Sequence, residues 1–195
     1  MSERFRVVRS DSLGLHYWVP GQKGCRNRNR PVTQIVVHTT GGEGKHDRVI
    51  NTLKKRGLSI HYIVSDGQVY QCADPDTTVT YHAGAANAHS IGIEVRNSLK
   101  RIGVSATRGK RADRIQGKNT KTTNIYSEDM LALCFLINSL CNAYQIPKKV
   151  LLSDKMMSGH LAYNGIVGHF HLSRKKIDPG LRALQDLDYF LKSLP

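Results

Sequence analysis

The apolar positions of this chain change their period several times, and each change marks an element. Gln34-Ile-Val-Val-His38 is a short β-branched run that opens into Thr39-Thr-Gly-Gly42, which predicts a buried strand leading into a glycine loop. Over residues 46–56, Val49, Ile50 and Leu53 recur at helical spacing between basic residues, and Gly57 suits the stop. Two β-prone runs, Ser59–Val64 and Val69–Cys72, flank Asp66-Gly67 and predict a hairpin. Thr78–Gly84 reads as an edge strand and Ser90–Val95 as a central one. Ser127, followed by Glu128 and Asp129, predicts the capped start of a helix. Its stripe of Met130, Leu133, Cys134, Ile137, Leu140, Cys141 and Tyr144 runs on towards Pro147 and is assigned to the core. Ile166–His169 predicts a last short strand, and residues 181–194 a closing helix.

Two stretches carry no such period. Residues 1–31 are a polar lead with Trp18 and a basic run from Arg26 to Pro31, expected as an N-terminal extension lying over the domain. From Arg96 to Lys121 the chain carries Arg96, Lys100, Arg101, Arg108, Lys110, Arg111, Arg114, Lys118 and Lys121 against the single acid Asp113. This is expected as a long, mobile basic loop, an insertion over about 96–125 in a domain spanning 32–195. With 195 residues and 39% hydrophobic content the chain can build one well-buried core.

Charge narrows the partners. A formal net charge of +14 and a pI near 9.9 call for an anionic partner such as nucleic acid, a membrane surface or cell wall. No recognised nucleic-acid motif is present and the aromatics do not interleave with the basic residues, so no nucleic-acid partner is expected. The N-terminus has positive charge without an apolar segment behind it, and no apolar run approaches the roughly 18 residues of a membrane span. A protein made soluble in the cytoplasm, without signal peptide or transmembrane segment, is expected. The four cysteines are irregularly spaced and read as reduced; Cys134 and Cys141 lie two helical turns apart, about 10 Å and beyond disulfide reach.

Candidate chemistry concentrates in Val167-Gly-His-Phe-His-Leu-Ser-Arg-Lys-Lys-Ile-Asp-Pro-Gly180. A loop could fold His169 and Asp178 around one ion, whereas His169 and His171 would share a face on a strand. A catalytic zinc site takes about three protein ligands, so one more must come from elsewhere, and His38, ending a strand before a glycine loop, is the candidate. The alternative is a surface loop with solvated histidines. Glu94, among Ile91, Ile93 and Val95, is either on a wet face or desolvated with the raised pKa that a general base requires.

The ordered blocks Ile35–Thr40, His61–Gln71, Tyr81–Gly84, Asn87–Glu94, Gly168-His169 and Lys176–Gly180 resemble the zinc-dependent N-acetylmuramoyl-L-alanine amidases. That family includes phage endolysins, anhydromuropeptide-recycling amidases and peptidoglycan recognition proteins. The resemblance covers about residues 32–192. It implies a single α/β domain, a central mixed sheet flanked by helices, with the metal in a groove at one edge. It implies Zn2+ on His38, His169 and Asp178, with His171 a bystander. Glu94 matches the general base of the recycling-type members, since Ile60 stands where other members have a tyrosine. Lys176 matches the lysine that stabilises the oxyanion, and His82, Asn87 and His61 match the substrate-binding neighbourhood. The implied activity is cleavage of the amide between N-acetylmuramic acid and L-alanine of peptidoglycan by a monomeric, lytic endolysin-type enzyme that reaches the wall after release or delivery. A cytosolic recycling amidase and a non-catalytic recognition module are the alternatives, and the basic loop is a candidate contact with an anionic envelope surface.

Overall fold

Gln34–Thr39 (β3) lies inside a six-stranded mixed sheet whose order is Val7–Arg9 (β1), Gln68–Gln71 (β5), Tyr62–Ser65 (β4), Ser90–Val95 (β7), β3 and Gly165–Gly168 (β11). The computed structural model describes residues 7–42, 44–98 and 110–194. β4, β7, β3 and β11 run parallel, and only the β4–β5 hairpin is antiparallel within the sheet. The hairpin turns at Asp66 and Gly67, both with positive φ, as an Asp-Gly pair favours.

Alternation sends the side chains of each strand to two different places. Ile35 and Val37 of β3, Ile91, Ile93 and Val95 of β7 and Val64 of β4 pack against helices Ser127–Tyr144 (α2) and Leu181–Ser193 (α3). The opposite face carries Ile63 and Tyr70 under helix His46–Lys55 (α1), with Val36 and Val167 in a smaller cluster beside them. α1 follows its predicted stripe, with Val49, Ile50 and Leu53 buried and Gly57 in the left-handed conformation just past its end. The cysteines Cys134 and Cys141 lie in the α2–α3 core. Ser127 is the first residue of α2 instead of its cap; Tyr126 takes the cap position, and the backbone there receives no side-chain bond.

Residues 7–31 of the stretch set apart as an N-terminal extension are woven into the same body, and residues 1–6 lie outside the described residues. β1 lies parallel to β5, Cys25–Asn27 (β2) pairs with Thr78–Thr80 (β6), and Trp18 is buried beside Ile50 and Ile63. The predicted edge strand at Thr78 therefore belongs to a separate two-stranded ribbon. Arg28, from the basic run, turns inward and donates to the carbonyls of Ala88, Thr78 and Ser90 at 2.9, 3.2 and 3.0 Å.

In place of a mobile basic loop, Lys110–Ile115 (β9) and Lys118–Ile125 (β10) form a hairpin, with Asn97–Ser98 (β8) paired to the end of β10. Residues 99–109 of the expected loop lie outside the described residues. The physical reason is inward alternation: Asp113, Ile115 and Thr122 are buried on one face, and Gln116 and Gly117, both with positive φ, make the two-residue turn.

Candidate metal centre and cleft

The parallel strands β3, β7 and β11 all end on the same side, where α/β sheets place functional groups. The register sets His38 beside Glu94, both on the face away from α2 and α3. Gly168 pairs with Val37, so His169 leaves β11 next to His38 and enters a 3₁₀ turn over His169–His171. A Cβ on Gly168 would lie 2.8 Å from Pro179 Cδ, so glycine admits the Asp178-Pro179 segment across the strand end. The Phe170 N–H then donates to the Asp178 carbonyl at 3.1 Å, tying that segment back.

The result is a triangle of donor atoms. His38 Nδ1 and His169 Nδ1 are 3.0 Å apart, and each lies 3.3 Å from Asp178 Oδ2. Zinc bonds of about 2.0–2.1 Å in a tetrahedron give ligand–ligand edges of about 3.3–3.4 Å, so the donor set and its spacing fit that ion. The hydrogen-bond chain behind His38 fixes its tautomer. The Ser90 hydroxyl donates to the Ala86 carbonyl at 2.8 Å, so it accepts from His82 Nε2–H at 3.3 Å. His82 Nδ1 is then bare and accepts His38 Nε2–H at 2.9 Å, which leaves the His38 Nδ1 lone pair facing the triangle.

Protonation states agree with this. Burial holds the imidazoles of His38 and His82 below the ordinary histidine value, hence neutral. Burial works to raise the Asp178 carboxyl, but hydrogen bonding with His169 and His38 takes it well below the usual carboxylate range. Neutral imidazoles with a carboxylate are the ligand forms a divalent metal needs.

Glu94 faces the same cleft. Its Oε2 is buried and has no hydrogen-bond partner among the described residues. Burial first, and then the charge of Asp178, push its carboxyl up to about 8 against the pull of Lys176 and Arg56. The cavity, about 390 Å³, is lined by the three candidate ligands, Glu94, His82 and Lys176, by apolar Leu53, Leu58 and Ile177, and by Arg56, Lys121 and Thr122.

The remaining candidates fall outside the cavity lining. His61 is fully buried; its Nδ1 accepts from Gly92 N–H at 3.0 Å and from the Thr80 hydroxyl at 2.9 Å, while Nε2 faces the Thr78 carbonyl at 3.0 Å. It joins β4 to β6 and β7. Asn87 accepts the His82 and Ala83 N–H groups at 3.1 and 2.6 Å, shaping the loop that presents His82. His171 has both ring nitrogens occupied, by Gly168 N–H at 3.0 Å and the Ser153 carbonyl at 2.8 Å. Sequence reasoning missed Ser90, Arg56 and Lys121. Ser90 sits in the motif read for its glutamate, and the two cations lie among many others with nothing local to single them out.

Residues 28–181 match the protein family described as N-acetylmuramoyl-L-alanine amidase. None of the curated proteins matches the sequence. Among solved structures, the fold is similar to the endolysin N-acetylmuramoyl-L-alanine amidase LysCS from Clostridium intestinale URNW, with TM-score 0.60 and 18% identity over 96% of this chain and 95% of that one. It is also similar to the Ph2119 endolysin from a Thermus scotoductus MAT2119 bacteriophage, with TM-score 0.58 and 19% identity over 95% and 99% of the two chains. Drosophila peptidoglycan recognition protein SD gives TM-score 0.55 and 16% identity over 98% and 96%. At these identities the likeness speaks for the fold.

Proposed function

We propose, from the premise that this chain belongs to the N-acetylmuramoyl-L-alanine amidase family, that it hydrolyses the amide between N-acetylmuramic acid and L-alanine of peptidoglycan with the help of bound zinc. The observation that carries this reading is the meeting, in one cavity, of the His38, His169 and Asp178 donor triangle with a Glu94 carboxyl oxygen that has no partner among the described residues. Zinc held by those three residues would supply a Lewis acid beside the scissile carbonyl.

The chain's own groups account for the proton traffic. Glu94, as carboxylate, takes a proton from the attacking water and delivers it to the departing alanyl nitrogen; the C–N bond breaks, leaving a muramoyl carboxyl and a free amine. Its exclusion from water keeps its proton affinity close to that needed for both transfers. The Lys176 ammonium lines the cavity and has no ion-pair partner among the described residues, so it is free to stabilise the oxyanion that develops on the carbonyl. Leu53, Leu58 and Ile177 offer apolar contact to the lactyl and alanyl groups. His82 acts behind His38, holding the proton on its outer nitrogen.

Action on the polymeric wall is favoured over recycling of soluble fragments by the net charge of +14, which draws the protein towards an anionic envelope. The test is release of stem peptide from purified sacculi and from a soluble anhydromuropeptide, each after chelation and again after zinc is restored. Both cleavages should vanish with chelator and return with zinc, and sacculi should be the better substrate. Preference for the soluble fragment would identify a recycling enzyme. Zinc binding without any cleavage would identify a recognition module.

A further inference from the structure

The β9–β10 hairpin touches the segments that carry two of the three candidate ligands, and it does so through directed bonds. At its turn, Gln116 reaches across with one side-chain nitrogen and donates to the carbonyls of Phe170 at 2.7 Å and Ser173 at 3.0 Å. Phe170 is the residue after His169, and its own N–H holds the Asp178 carbonyl. One residue, Phe170, therefore links the Gln116 amide to the backbone of both ligand segments through its carbonyl and its N–H.

The rest of the hairpin anchors that reach. The Gln116 backbone N–H donates to the Asp154 carbonyl at 2.5 Å. Asp113, buried in β9, accepts from the Thr122 hydroxyl at 2.9 Å and from the Arg182 N–H, at the start of α3, at 3.2 Å. A Cβ on Gly180 would lie 2.7 Å from Thr122, so β10 is pressed onto the Asp178-Pro-Gly segment. The hairpin thus meets the ligand loop at both of its ends.

We infer that Gln116 is a positioning residue, and that the hairpin is a brace which fixes His169 and Asp178 at the spacing the metal requires. His38 needs no such brace because it lies within β3, itself paired with Glu94 of β7 and following Val37, which is paired with Gly168 of β11. His169 and Asp178 sit on a 3₁₀ turn and an irregular loop, where hydrogen bonds from outside must supply the order that a ladder gives a strand.

This inference rests on the zinc reading above, and the experiment separates the two. Zinc affinity of the metal-free protein is measured by competition with a chromophoric chelator for the parent, Gln116→Asn and Gln116→Met, with thermal unfolding of each metal-free form. Asn-Gly is the favoured pair for a two-residue hairpin turn, so Gln116→Asn preserves the hairpin while shortening the reach by one methylene. Both variants should bind zinc about tenfold more weakly, the lower end of the range for outer partners of metal ligands, and the Asn variant should unfold no earlier than the parent. Zinc held as tightly by Gln116→Asn as by the parent overturns the brace. If Gln116→Met does not fold, the Asn variant decides alone. If the parent itself binds no zinc, the functional reading falls and the brace with it.

Discussion

The two faces of the central sheet are made from alternate residues of the same strands, yet they are built to opposite standards. Ile93 and Glu94 are neighbours on β7. Ile93 is fully buried against the α2–α3 layer, whereas Glu94 keeps a carboxyl oxygen without a partner among the described residues. Val37 and His38 divide in the same way on β3: one joins the apolar core, and the other aims a bare nitrogen at a second nitrogen 3.0 Å off. A buried unpaired carboxyl and crowded donor atoms each cost stability. They persist because the opposite face, packed with Leu133, Ile137 and Leu184, over-determines the strand positions.

The largest effect should come from splitting that pair of neighbours. Glu94→Gln is expected to lower hydrolysis about 10²- to 10⁴-fold while zinc is still bound and the metal-free protein unfolds no earlier than the parent. Ile93→Ala should lose about 2–5 kcal/mol in denaturant unfolding and yet turn over substrate at near-parental rate at temperatures where it is folded. A fully active Glu94→Gln, or a folded but inactive Ile93→Ala, would erase the division between the faces.

A change where the division is narrowest should mix the two effects. A Cβ on Gly92 would lie 2.6 Å from Ile60 Cδ1 and 2.7 Å from the His82 ring. Gly92→Ala is therefore expected to cost about 1–3 kcal/mol by overpacking, and also to weaken zinc about tenfold by displacing the ring that orients His38. Parallel melting and chelator competition would check both, and a loss of stability with zinc affinity intact would remove His82 from the site.

The smallest effect is in the pH dependence of the metal-free protein. Burial holds His61 at about 3 and His171 at about 4, against 6.5 for an ordinary histidine. The unfolded chain therefore binds the extra protons, and stability is lost as pH falls below 6.5. Glu94 has the opposite sign: raised from 4.5 to about 8, it binds its proton in the native state, so stability falls as pH rises through that window. The two limbs give a maximum near pH 6.5, with slopes of up to about 1.4 kcal/mol per pH unit for each group. Glu94→Gln should flatten the limb between 6.5 and 8 and steepen the acid limb, which Glu94 opposes above 4.5; melting temperatures across pH 5–9 would show it.

The elements legible in the sequence were those with a strong local period, such as β3, α1, α2 and the Asp66-Gly67 hairpin. The β9–β10 hairpin was hidden because only Ile115 and Ile125 in it are buried apolar residues, and its inward faces are completed by Asp113 and Thr122. β1 and β2 were missed for a similar reason: each has three residues, and their place depends on β5 and β6 far along the chain. In the cleft, residue types and a resemblance pointed to His38, His169 and Asp178, which the fold brings together. The difference between His169 and His171 is invisible in a His-Phe-His string. It lies in which ring nitrogens the backbone has already taken.

β11 reaches β3 only after most of the chain has been made, and His169 is 131 residues from His38. On a growing chain, β3 has β7 on one flank and an open edge on the other, and the donor triangle has one corner. The donor triangle is therefore completed only when β11 and the Asp178 segment that follows it are in place, and the same strand covers the edge of β3 that could otherwise pair with another chain.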